Sequence, residues 1–100
     1  MNMGGFFLNK GDKNLLMKVM ATNLSILRSK LDLSQEDLAD MIGLTRQSIS
    51  SFENGQRQMT WSVFLALVLI FFRNEPTKLL LVALNIYTPE LNDYLNITKK

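Results

Sequence analysis

The chain has 100 residues, 47% of them apolar and 20% charged, with a formal net charge of +2, which suits about one domain and is too apolar for a disordered chain. It contains no cysteine and no histidine. Disulfides, zinc-finger ligand sets, thiol catalysis and any triad with an imidazole base are thereby excluded.

No acid pair, metal-ligand cluster or phosphate loop stands out, so the chain reads as a non-enzyme without cofactor or metal. Small secreted domains usually need disulfides, so a cysteine-free chain of this size points to the cytoplasm. The short apolar run at 6–8 follows no basic segment and is broken by Asn9, Lys10, Gly11 and Asp12. It is no signal peptide, and residues 1–13 are expected to form a flexible arm. Residues 61–72 hold eleven apolar residues in twelve, but a membrane-spanning helix needs about twenty. Core or subunit interface is the expectation there, with no membrane.

Leu16, Met20, Leu24, Leu27 and Leu31 draw one apolar stripe and predict a helix over about 14–31. No run alternates with period two, so an all-α fold of about five to six helices is expected. Ser34 is a good N-cap for a helix over 35–42, with Leu33 stapling onto Leu38 and Asp37 completing a capping box. Gly43 can take the left-handed conformation that ends it. The same grammar recurs twice. Thr45 caps a third helix, with Leu44 stapling onto Ile49 and Asn54–Gly55 as terminator; Thr60 caps a fourth, with Met59 stapling onto Phe64. Pro76 opens a fifth helix running to about Tyr87. Thr88–Pro89 starts a short sixth, with Leu91, Tyr94 and Leu95 on one face, and Lys99 and Lys100 read as a frayed end. Met17, Met20, Met41 and Phe52 are core candidates.

Two helices of about eight residues joined by Gly43, Leu44 and Thr45 make a helix-turn-helix unit. At 100° per residue from Arg46, the residues Ser50, Asn54, Gln47 and Ser51 fall between about 40° and 140°, while Phe52 and Ile49 fall at about 240° and 300°. The outward face therefore carries guanidinium, amide and hydroxyl groups and no acid. These groups suit base edges: arginine for guanine O6 and N7, glutamine or asparagine for adenine N6 and N7.

The segments Leu33-Ser34-Gln35-Glu36-Asp37-Leu38-Ala39, Ile42-Gly43-Leu44-Thr45-Arg46-Gln47-Ser48-Ile49-Ser50 and Phe52-Glu53-Asn54-Gly55 resemble the DNA-binding domain of the Cro and lambda-type phage repressor family of bacterial regulators. The resemblance covers about 14–73 and implies a lambda-repressor-like domain there, with 74–100 as a C-terminal helical extension. It implies base contacts for Arg46, Gln47 and Ser51, with Ser50 assisting. For Gln35 it implies a phosphate contact and a buttress to the recognition helix, and for Asn54 and the 55–58 turn a phosphate-binding loop. Arg28 and Glu53 match an ion pair; Glu53, at about 340°, turns toward the core and needs a partner.

Charge is unevenly placed. Residues 1–30 carry five basic and one acidic side chain, residues 31–58 two basic and five acidic, and residues 59–100 four basic and three acidic. The reading unit is thus acidic, and few phosphates can be neutralised: Arg57 is one candidate, and Lys10, Lys13 and Lys18 help only if the N-terminal segment lies along the duplex. A shallow salt slope per monomer is expected, so two half-sites are needed for useful affinity.

The fourth helix departs from the family pattern. Trp61, Phe64, Leu65, Val68 and Phe71 match its inward stripe, yet the outer positions Val63, Ala66, Leu69, Ile70 and Phe72 are apolar too. A helix apolar on all sides must be covered on all sides, either by residues 79–95 folding back or by a second subunit. The expectation is a homodimeric regulator on double-stranded DNA, a repressor at a pseudo-palindromic site. The alternative is a protein-interaction module that holds a protein partner as an antitoxin holds a toxin.

Overall fold

In the computed structural model, which describes residues 8–97, five of the six described helix starts are fixed by a side chain that satisfies a backbone donor the helix itself leaves free, and the remaining one, with Pro76 in its first turn, carries no such cap. The helices are α1 Lys10–Lys30, α2 Gln35–Ile42, α3 Arg46–Glu53, α4 Trp61–Arg73, α5 Glu75–Ala83 and α6 Pro89–Leu95. Ser34, Thr45, Thr60 and Thr88 cap α2, α3, α4 and α6 through hydrogen bonds to the third residue inside. The described residues contain no strand.

The start of α1 corrects the expected arm. Asn9 Oδ1 accepts from the Asp12 N–H at 2.8 Å and Asp12 Oδ2 accepts from the Asn9 N–H at 3.1 Å, a reciprocal capping box. Residues 10–13 are therefore the first helical turn, and Leu8 is buried ahead of it. Gly11 lies inside that turn, where its weak helix preference is outweighed by the cap. Residues 1–7 of the expected arm and the expected frayed end at Lys99 and Lys100 lie outside the described residues.

Four helices end alike. Asp32 (φ 55°), Gly43 (φ 75°), Gly55 (φ 78°) and Asn85 (φ 60°) each take the left-handed conformation after the last turn. The following N–H reaches back to a carbonyl of the helix: Leu33 to Arg28 O, Leu44 to Ala39 O, Gln56 to Ser51 O and Ile86 to Leu81 O. This is the Schellman arrangement, in which asparagine and aspartate can stand in for glycine. Asn85 thus ends α5 at Ala83, short of the expected Tyr87. It also turns Ile86 fully into the core.

Core packing runs through every helix. Met20, Leu24 and Leu27 of α1 are fully buried with Leu38, Ile49, Phe64, Leu67, Phe71, Leu81 and Leu91. The buried stripe of α4 is Phe64, Leu67, Val68 and Phe71, whereas Trp61 and Leu65 are only half-buried. Met41, expected in the core, is 56% exposed, because α2 turns Leu38 and Ala39 inward instead. Leu95 is exposed although it shares α6 with the buried Leu91. Buried Thr77 closes the α4–α5 corner by donating to Phe71 O at 2.6 Å, with Asn74 Nδ2 donating to Ile70 O at 2.7 Å. Helices α2 and α3 pack on each other and against α1 and α4, while α5 packs on α4 and α1.

Candidate nucleic-acid interface

α3 presents two chemically distinct faces. Ile49 and Phe52 are buried, Arg46, Gln47 and the C-cap Asn54 are exposed, and Ser50 and Ser51 are half-buried. The two serines therefore sit at the edges of the outward face rather than at its centre. The acid of α3, Glu53, points away from it.

Glu53 is the hub of a side-chain chain that crosses three helices. Arg28 Nε and Nη2 donate to its two oxygens at 2.8 and 3.1 Å, and Arg28 Nη1 donates to Leu33 O at 2.9 Å. Gln35 Nε2 donates to Glu53 Oε1 at 2.9 Å, and Arg46 Nη1 donates to Gln35 Oε1 at 3.3 Å. The paired side chains are only 16% and 11% exposed, so their two-pronged contact is largely shielded from water. Hydrogen bonding to the Glu53 carboxylate raises the Arg28 pKa further above its ordinary range, against the opposing effect of burial.

The direction of that chain follows from donor counting. A carboxylate only accepts, so Gln35 must turn its amide NH₂ to Glu53, which leaves its carbonyl oxygen facing the Arg46 guanidinium. The Gln35–Arg46 contact was not legible in the sequence, since it depends on the turn angle between α2 and α3.

The loop after α3 is tied to the same helix. Arg57 Nη1 donates to Ser48 Oγ at 3.2 Å, and its guanidinium lies 5.2 Å from the Phe52 ring centroid. Ser48 Oγ is also 3.1 Å from Thr45 Oγ1. Asn54 Oδ1 accepts from the Gln56 N–H at 3.2 Å, and Gln58 Nε2 donates to Asn14 Oδ1 at 3.2 Å, so the turn is anchored at both ends. Sequence reasoning missed Ser48. Its hydroxyl on the inner face of α3, at about 200° from Arg46, was the available signal.

Lys13 departs from the expected line of cations along a duplex. Its Nζ lies 5.3 Å from the Trp61 ring centroid and 5.0 Å from that of Tyr94. The ammonium thereby joins α1, α4 and α6. Lys10 and Lys18 are exposed. On the outer side of α4, Val63, Ala66, Ile70 and Phe72 are half-buried and Leu69 is 68% exposed. Phe72 is covered from within the chain by Tyr87, stacked at 4.3 Å.

Residues 24–68 match the family model described as Helix-turn-helix, a span from the middle of α1 to the middle of α4 that includes the whole Arg28–Glu53–Gln35–Arg46 chain. Neither the curated proteins nor the solved structures contain a match to the chain. No helix of the described residues is long and apolar enough to cross a membrane. With caps, turn and outward polar helix in place, the match over residues 24–68 is to a helix-turn-helix domain of the Cro/C1, XRE-like type, and it supports a DNA-binding transcription regulator.

Proposed function

We propose that the chain is a homodimeric repressor that recognises a pseudo-palindromic site in double-stranded DNA and acts by occupying it. The observation that carries this reading is the exposed, acid-free face of α3, held in place by the Glu53 hub. A helix with that face fits the major groove, where Arg46 and Gln47 can address base edges with two hydrogen bonds each. Ser50 and Ser51 flank them and admit the groove wall. Gln35 keeps a second amide N–H free of Glu53 for a phosphate, while Asn54 and Arg57 present the 55–58 turn to the same backbone.

The mode proposed is repression by steric exclusion of polymerase from the occupied site. The acidic reading unit, with Arg28 already engaged by Glu53 and Lys13 by aromatic rings, supplies few phosphate contacts per protomer. Affinity then calls for two half-sites about 34–36 Å apart, one turn of the duplex. Helices α5 and α6 pack against α4 and contribute to association.

Selection from random duplexes tests the reading. The expected product is an inverted repeat with half-sites about one helical turn apart. Recovery of no common sequence would contradict specific recognition, and recovery of single, unrepeated half-sites would contradict the homodimer. Copurification of the chain only with another protein, without DNA selection, would favour the interaction module.

A further inference from the structure

Beside α4 lies an open groove of about 550 Å³, lined by Leu65, Leu69 and Phe72 of α4 together with Tyr87 and Leu95. α5 contributes Lys78 and Glu75 to the same lining. At 100° per residue Val82 falls between those two, and Leu79 lies about 40° beyond Glu75. Leu79 is 74% exposed and Val82 50% exposed. Leu79 and Val82 thus form an exposed apolar ridge on the same side of α5 as Glu75 and Lys78, the two residues it contributes to the groove.

Resting on the homodimer reading above, we infer that a second copy of this chain occupies the groove, each protomer inserting its Leu79–Val82 ridge into the other's groove about a two-fold axis. A ridge next to a groove is self-complementary only under such an axis, where each copy both gives and receives the same surface. The rim agrees. Arg73, Lys78 and Glu75 bring both signs of charge to the groove edge, so a copy turned through the two-fold can set Glu75 against the cations of its partner. A uniformly charged rim would repel its own copy. The patch also lies on α4, α5 and α6, and α5 packs on α4 and α1, so pairing there leaves the outward face of α3 open to DNA.

Sedimentation equilibrium of the full chain tests the assignment, using wild type, Leu79→Glu, Val82→Glu, Glu75→Lys and a control, Met41→Glu, at an exposed apolar residue of α2. Wild type should form a closed dimer. Each ridge variant changes two sites per dimer, and should weaken association by about 100-fold or more. Glu75→Lys should weaken it by about tenfold, most at low salt, and Met41→Glu should leave it unchanged. Because both ridge side chains are already exposed in the protomer, helix content and binding to a duplex with a single half-site should persist in these variants. Ridge variants that dimerise like wild type would overturn the groove assignment while leaving the homodimer standing. A wild-type chain that stays monomeric, alone and on its selected duplex, would overturn both. Open-ended oligomers would contradict the two-fold pairing.

Discussion

Around α3 the joints between helices are polar and directional: the Arg28–Glu53 pair, the Gln35 amide and the Arg57–Ser48 bond each fix an angle as well as a distance. Around α5 and α6, apart from the Thr77 corner, they are mainly apolar and aromatic, with Leu81, Ile86 and Leu91 buried, Tyr87 stacked on Phe72 and Lys13 set against Trp61 and Tyr94. The contrast matches the demands on each region. Reading a base edge requires a side chain held to a fraction of an ångström, which hydrogen bonds with one permitted donor direction provide. Covering an apolar helix requires only area, and tolerates contacts that are not directional.

The contrast can be broken from either end. Phe71→Ala, in the fully buried centre of the apolar region, should cost about 4 kcal/mol of folding stability; a loss below about 1 kcal/mol in chemical denaturation would show that this core is loosely packed. Glu53→Ala should cost about 3 kcal/mol, since it strands the shielded Arg28 guanidinium without its partner. It should also blur sequence preference at temperatures where the variant remains folded, which Phe71→Ala should not do. Equal effects of the two variants on specificity would erase the distinction between the regions.

Smaller effects sharpen the same picture. Ser34→Ala removes the α2 cap and its box with Asp37, and should cost about 1 kcal/mol. Asp37 adds a pH signature. The Ser34 backbone N–H, and then its hydroxyl, hold the Asp37 carboxyl below its ordinary range. Its contribution is therefore present above the ordinary carboxylate pKa and is lost as pH falls through the lowered value. Asp37→Asn should make acid unfolding slightly less pH-dependent; an unchanged acid limb would show that the box is idle.

Most of the helix grammar was legible because caps and staples are local. Ser34, Thr45 and Thr60 each announce a start, and Gly43 and Gly55 announce stops. Asp32 and Asn85 perform the same stop without announcing it, since a left-handed aspartate or asparagine is unremarkable until the backbone is seen. The first turn of α1 was hidden behind Gly11, where the Asn9–Asp12 box outweighs a residue that disfavours helix. Met41 and Leu65 show the limit of reading stripes in short or uniformly apolar helices, where rotation is set by neighbours. At the site, residue types were legible on α3, but the hydrogen bonds that orient them were not. Gln35 reaches Arg46, and Arg57 reaches Ser48, only across the turns of the folded chain.

The most direct test of recognition by α3 compares Gln47→Ala with wild type on the selected duplex and on its single-base variants, at fixed salt. Gln47 is exposed and outside the Glu53 chain, so the fold should be undisturbed. The account predicts a loss of about 1–3 kcal/mol on the selected site and relaxed preference at one base pair per half-site. Equal weakening on every sequence, or none, would contradict it.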